Sequence, residues 1–263
     1  MLNTTIPDAA ISTSAMFDLT GRVAVVTGAS SGLGHRFARV LSAAGATVAI
    51  CARRRDRLEE AAAGDKRLIP FECDVTDEVA VMAMVEKLEI DLGRIDILVN
   101  NAGGHVISPA EDESLSDFRR VMDLNLTSVF HLTQLVGRRM LAQGEGSIIN
   151  IASILGLVAS SPIKEASYCA SKGAIINLTR ELAVQWAARS VRVNCIAPGW
   201  FPSELTAGML EDDKSIRWLE RNTPLRRAGR VGELDGALLL LAGAAGSFIT
   251  GQTIVVDGGW TAR

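Results

Sequence analysis

An α/β fold, with a doubly wound sheet of about seven parallel strands flanked by helices in a single domain, is predicted by three features of the chain. Short apolar runs rich in β-branched residues alternate with longer helical stretches along nearly the whole sequence. Those runs are mostly continuous rather than alternating in polarity, as strands covered on both faces require. No linker-like stretch divides the 263 residues, a length that one large domain can hold.

Taken in order, the first 17 residues, MLNTTIPDAAISTSAMF, carry no Lys or Arg. A secretory or mitochondrial leader needs basic residues, so 1–17 reads as a flexible polar leader ahead of a domain at 18–263. The strand runs are VAVVTG (23–28), TVAICA (47–52), LIPFECDV (68–75), IDILVNNAG (95–103), GSIINIAS (146–153), VRVNCIAPG (191–199) and QTIVVDGG (252–259). Between them lie helical patterns: SGLGHRFARVLSAAG, DEVAVMAMVEKLEIDLG and the long SDFRRVMDLNLTSVFHLTQLVGRRMLAQG. This order builds βαβ units with right-handed crossovers. The segment at about 200–228, opening WFPSELTAG, is too long and irregular for an ordinary connection and is expected to be a substrate lid. From Gly236 to Val256 there is no charge, but Ser247, Thr250, Gln252, Thr253 and several glycines interrupt the run. A short core helix, a turn and a buried strand account for it better than a membrane span.

Composition excludes several functions. At 48% hydrophobic, 22% charged and a net charge of −3, the chain has no basic surplus for nucleic acid or an anionic membrane. Cys51, Cys73, Cys169 and Cys195 are scattered with no C-x-x-C pair, which predicts buried free thiols in a reducing, cytoplasmic setting. His35, His105 and His131 form no ligand cluster, so no metal is expected.

The first strand runs into TGASSGLG, Thr27 to Gly34, and then a helix. Gly28, Gly32 and Gly34 permit a tight turn and close approach to a pyrophosphate, with Ser30, Ser31 and Leu33 in the same turn. The spacing is G-x-x-x-G-x-G rather than G-x-G-x-x-G, a variant of the Rossmann-type dinucleotide site. An NAD site normally ends the second strand with an acidic residue that holds the ribose. Here Ala52 stands at that position, followed by Arg53, Arg54 and Arg55. Cations at a helix start oppose its dipole, whereas arginine forks match a phosphate. The pattern predicts NADP(H) over NAD(H), with Arg53 first and Arg54 second. Asp74 of CDVTD is placed to accept from an adenine amino group, with Val75 beside it, and Asp77 reads as a helix cap. NNAGG sets Asn101, Ala102 and Gly103 at a strand's carboxyl end, where small residues let the backbone lie against a cofactor.

In this order, TGASSGLG, CDVTD, NNAG, the Asn of DLNLTSV, IINIAS, YCASK, NCIAPG and ITGQTIVVDGG resemble the short-chain dehydrogenases/reductases over about residues 18 to 260. The resemblance implies an NAD(P)-linked interconversion of an alcohol and a carbonyl on a small molecule, by a homotetramer. It implies Ser153 as catalytic serine, Tyr168 as acid/base, Lys172 as its partner and Asn125 as organiser of a water-linked proton path. Asn101 is similar to the residue that steadies the central strand; Ile196, Pro198 and Gly199 resemble the strand end near the nicotinamide. There are two departures. SSPIKE (160–165) lengthens the usual Ser-to-Tyr gap in a loop that faces substrate in the family, and PGWFPS puts Ser203 where the family often has Thr.

Tyr168 is the only tyrosine, and Lys172 follows at i+4, on the same helix face. A phenol with pKa near 10 is a poor base, and a neighbouring ammonium with an oxidised nicotinamide ring is expected to lower it. Ser153 would polarise the carbonyl while Tyr168 delivers a proton as hydride arrives. The reading is an NADP(H)-dependent reductase of a small keto compound: a 3-ketoacyl group, a keto sugar acid or similar. The alternatives are an NAD-preferring polyol or hydroxysteroid dehydrogenase and a non-catalytic NADP-binding sensor. His105 is expected to border substrate, Trp200 to open the lid, and His131, Trp186, Trp218 and Trp260 to pack in core or interface. His105, Lys164, Glu165, Trp200 and Glu204 mix charge with apolar surface and single out no substrate.

Overall fold

Seven strands form the sheet: Val23–Thr27 (β1), Thr47–Ala52 (β2), Leu68–Glu72 (β3), Ile97–Asn100 (β4), Gly146–Ile151 (β5), Val191–Pro198 (β6) and Thr253–Val256 (β7). The computed structural model describes residues 12–263, so 1–11 of the expected leader lie outside the described residues. All strand pairs are parallel and the order is β3-β2-β1-β4-β5-β6-β7. The chain winds outward from β1 in one direction, then returns to β4 and winds in the other. The crevice between β1 and β4 is therefore the switch point, where such sheets bind ligands.

Burial explains the unbroken apolar runs. Every residue of β1 is buried, and neighbours face opposite layers. Ala24 and Val26 pack with Phe37 and Leu41 of α1 (Gly32–Ala43) and with Leu238 and Leu241 of α9 (Asp235–Ala242). Val25 packs on the other face with Leu88 of α3 (Glu78–Leu92) and with Leu132 and Val136 of α5 (Ser128–Gln143). Trp186, closing α6 (Ala166–Trp186), lies against Gly137 of α5, where a Cβ would meet its ring at 2.6 Å. Asp77 caps α3 by accepting from the N–H groups of Val79 and Ala80, as its sequence position implies.

Three details differ from the sequence reading. The long helical stretch is broken into α4 (Leu115–Met122), a π turn at Asp123–Thr127, and α5. The extra residue in that turn carries Asn125 to complete burial, and hydrogen bonds compensate its amide. Second, β7 is an edge strand with only β6 beside it; it is half-buried, and Val255 is exposed. Third, all four cysteines are free, but Cys169 is only half-buried. The segment after β6, expected to be a lid, carries α7 (Ala207–Leu210) and α8 (Asp213–Asn222), while Ala15–Phe17 forms a 3-10 turn against α9 and the turn after it. Among the described residues no helix is long and apolar enough to cross a membrane, and no cluster of His, Cys, Asp and Glu could hold a metal ion.

Candidate active site

The carboxyl ends of the strands open into one cavity of about 1490 Å³. That exceeds the roughly 300–1,000 Å³ of an ordinary small-molecule site and leaves room for a dinucleotide together with a substrate. Every residue of the cofactor set expected from sequence lines it, as do Ser153, Tyr168 and Lys172.

The turn after β1 is built for close approach. Gly28 has φ +64°, and a Cβ there would lie 2.9 Å from Ala102 Cα; a Cβ on Gly34 would lie 2.4 Å from the Gly28 carbonyl oxygen. Thr27, to which the sequence reading assigns no role, holds this geometry. Its Oγ1 accepts from the N–H groups of Asn101 and Ala102, both at 3.0 Å. Asn101 Nδ2 returns a bond to the Thr27 carbonyl at 2.9 Å, tying β1 to the end of β4. The signal for Thr27 was its place as the last residue of β1, directly before the glycine.

The three arginines after β2 diverge. Arg54 Nη2 donates to Ser30 Oγ at 3.2 Å and to Glu204 Oε1 at 3.1 Å. Arg53 lines the cavity near Asp74. Burial pushes the Asp74 carboxyl up, but the Thr76 N–H and hydroxyl and the Arg53 charge hold it below its ordinary value. Arg55 turns away, onto Glu59 one turn along α2 (Arg55–Ala62).

At the other end of the cavity, Ser153 follows β5 while Tyr168 and Lys172 share a face of α6. A Cβ on Gly156 would meet the Lys172 backbone at 2.6 Å, so glycine is what seats the turn after β5 on α6. Lys172 Nζ donates to the Ile151 carbonyl at 2.8 Å and lies 5.6 Å from the Tyr168 ring centroid. Burial pushes the lysine down to about 8. Burial also pushes Tyr168 up to about 12, against a hydrogen bond from Ser153 and with the Glu165 charge adding to the rise. In the cofactor-free site dehydration of the phenolate is thus the largest influence on Tyr168, and the lowering expected from Lys172 together with an oxidised nicotinamide concerns the loaded site.

Asn125 lies behind the cavity wall. Its Nδ2 donates to the Gly104 carbonyl at 2.8 Å and to Ser171 Oγ at 3.0 Å, and its Oδ1 accepts from the Gly104 N–H at 2.9 Å. The side chain clamps the loop after β4 to α6. Ile196 is buried in the core, whereas Pro198 and Gly199 reach the cavity. Ser203 lines the cavity with its hydroxyl 3.1 Å from that of Thr206.

The SSPIKE loop contributes a pairing invisible in the sequence. Glu165 Oε2 sits 2.9 Å from His105 Nδ1, Ser160 Oγ donates to Glu165 Oε1 at 3.3 Å, and the His105 ring meets Tyr168 edge-on at 6.0 Å. The Ser108 N–H bond to the Lys164 carbonyl fastens the two loops together. Lys164 itself is exposed. Trp200 lines the cavity and packs with Trp218 and Trp260 at centroid distances of 5.9 and 5.7 Å, joining the segment after β6 to the last residues of the chain. His131 also borders the cavity, with Nε2 buried and unpaired among the described residues.

Comparison with known proteins places these features. A family profile described as enoyl-(acyl carrier protein) reductase matches residues 28–261. The chain is 40% identical to gluconate 5-dehydrogenase of Gluconobacter oxydans over 250 residues, covering 94% of this chain and 97% of that one. It is 39% identical to galactitol 2-dehydrogenase (L-tagatose-forming) of Cereibacter sphaeroides over 249 residues, covering 94% and 97%. A crystal structure of a gluconate 5-dehydrogenase from Burkholderia cenocepacia, in complex with NADP and tartrate, superposes with a TM-score of 0.91 at 37% identity, covering 96% and 100%.

Proposed function

The chain belongs to the short-chain dehydrogenase/reductase family, an oxidoreductase acting on CH–OH groups, and we propose that it is an NADP(H)-dependent enzyme for a hydroxylated substrate, a keto sugar acid or keto polyol. The observation that carries the reading is the convergence of Ser153, Tyr168 and Lys172 on one end of a cavity whose other end holds Arg53, Arg54 and a turn with no room for a Cβ at Gly28 or Gly34.

These residues fit a dinucleotide. The turn at Gly28–Gly34 would receive the pyrophosphate, Arg53 and Arg54 a 2′-phosphate, and Asp74 the adenine. When bound, the nicotinamide supplies or accepts hydride. Ser153 then donates to the substrate oxygen and polarises the carbonyl. Tyr168 delivers the proton to that oxygen, a task suited to a phenol that keeps its proton in this site. Lys172, on the same helix face, supplies positive charge beside the phenolate left behind. Asn125 acts as a positioning residue by clamping Gly104 against α6. His105 and the buried Glu165 give the substrate end a polar wall, which suits hydroxyl groups better than a steroid face or an acyl chain. Exposed Phe130, Val184 and Phe248 support assembly into the family's tetramer, to be checked by light scattering.

Turnover of grouped keto sugar acids, keto polyols and acyl ketones with NADPH and with NADH tests the reading. Reduction of a hydroxylated ketone, faster with NADPH, is expected. NADH preference would sink the cofactor assignment, and inertness toward every carbonyl despite NADPH binding would favour a sensor. The second reading, an NAD-preferring polyol dehydrogenase, draws support from one observation: Arg54 already has a carboxylate partner in Glu204.

A further inference from the structure

We propose that Glu204 is a cofactor-selecting residue, whose carboxylate competes with the 2′-phosphate of NADP for the Arg54 guanidinium and leaves NAD untouched. The inference rests on the cofactor reading above and concerns a residue to which that reading gives no role.

The geometry is a crowded fork. Arg54 Nη2 lies 3.2 Å from Ser30 Oγ, 3.4 Å from Ser31 Oγ, and 3.1 and 3.4 Å from the two Glu204 oxygens. Arg57 Nη1 adds a longer contact to the same carboxylate at 3.9 Å. The serines belong to the glycine turn after β1, whereas Glu204 comes from the segment after β6. That segment lies across the turn, since a Cβ on Gly32 would meet Ser203 Cβ at 3.8 Å. Glu204 thus brings an anion to the arginine assigned to an anionic cofactor group.

Nη2 carries only two N–H hydrogens, and a phosphate oxygen must share them with the two serines and the Glu204 carboxylate. A phosphate entering beside Glu204 also meets like charge. NAD carries a neutral hydroxyl at that position, so it has no claim on Arg54 and suffers no repulsion. Arg53, which makes no ion pair among the described residues, is left to supply the uncontested part of the phosphate site. The carboxylate therefore tempers a preference that the arginines create.

The test is calorimetric titration, at one fixed salt concentration, of adenosine 2′,5′-bisphosphate and of AMP into the purified full chain and its variants. The two probes differ only in the 2′-phosphate. Glu204→Gln is expected to tighten the bisphosphate about two- to fivefold, the range an exposed ion pair supplies, with AMP unchanged. In an Arg54→Gln background the same substitution is expected to give a smaller gain, since only the like-charge repulsion is then relieved. Unchanged or weaker bisphosphate binding in Glu204→Gln overturns the proposal. So does a gain of undiminished size without Arg54, since that is a general field effect rather than competition for one guanidinium. If neither Arg53→Gln nor Arg54→Gln weakens the bisphosphate relative to AMP, the cofactor reading has failed and this proposal falls with it. If they do weaken it and Glu204→Gln has no effect, only the proposal fails.

Discussion

Both ends of the parallel sheet bury charge, and they treat it in opposite ways. At the amino ends, Asp96 is 3% exposed and accepts from Arg22 Nη1 at 3.0 Å, from the Val23 N–H at 2.8 Å, and from Arg94. Burial pushes its carboxyl up, yet the hydrogen bonds from Arg94, Val23 and Arg22 hold it below the usual carboxylate range. At the carboxyl ends, Lys172 is 5% exposed and its ammonium has a single carbonyl partner, and its proton is held only to about 8. Buried charge with every lone pair engaged fixes structure, whereas buried charge left short of partners is ready to change state. The same sheet therefore carries a stabilising end and a reactive end.

The largest expected effect separates the two at once. Tyr168→Phe is expected to lower turnover on the order of a thousandfold, the scale of a lost acid/base group, with nucleotide binding and unfolding midpoint retained. Residual turnover within tenfold of wild type would remove Tyr168 from the proton path. Asp96→Asn is expected to do the reverse. It leaves Arg22 and Arg94 with Glu145 alone as counter-charge and should cost about 2–3 kcal/mol of stability, less than a fully buried pair because Glu145 remains and both guanidiniums can turn to water. Turnover per folded molecule should not change. Because the folded carboxyl titrates below its unfolded value, its contribution is present above pH 4 and lost as pH falls further. Urea titrations of wild type and Asp96→Asn across that window should therefore converge in acid.

At the reactive end the pH dependence runs the other way. An unfolded lysine keeps its proton to about pH 10.4, whereas folded Lys172 releases it near 8. Between those values the folded chain binds fewer protons, so stability rises with pH. Relative to Lys172→Met, the cofactor-free protein should gain about 2–4 °C in Tm between pH 8 and 10, the equivalent of one kcal/mol for a chain of this size. Cys169 and Cys195, whose thiols burial pushes up, lose stability with rising pH in both proteins alike, so the difference isolates Lys172. Identical slopes for the two proteins would show that Lys172 is charged and well solvated in the fold.

The two ends were not equally legible in the sequence. The strands could be read because both faces of the sheet are covered, so β1 and its neighbours appear as unbroken apolar runs. The glycine turn was legible because a close backbone approach leaves glycine as the only choice at Gly28 and Gly34. What stayed hidden depends on direction or on distant partners. DLNLTSV has the composition of a helix, and nothing in it announces the π turn that carries Asn125 inward. His105 and Glu165 are 60 positions apart and meet only because two loops are fastened together. Asp96 falls inside the run IDILVNNAG with nothing there to mark its buried pairing, since its partners are Arg22 just before β1 and Arg94 two residues before it.

The smallest expected effect tests how sharply chain direction divides neighbours. Arg53, Arg54 and Arg55 are consecutive and chemically identical, yet the chain enters α2 at Arg55, whose side chain runs along the helix to Glu59 at 2.9 Å. Both partners are exposed, at 70% and 57%, so water competes for the pair and salt screens it. Arg55→Ala should therefore leave the unfolding midpoint and the binding of adenosine 2′,5′-bisphosphate unchanged within error, while Arg54→Gln weakens that binding severalfold. An equal loss from the two substitutions would mean that the phosphate senses the summed charge of the helix start rather than one guanidinium. The site at the sheet's carboxyl edge would then select its cofactor by field alone, and the contact between Arg54 and Glu204 would lose its claim to specificity.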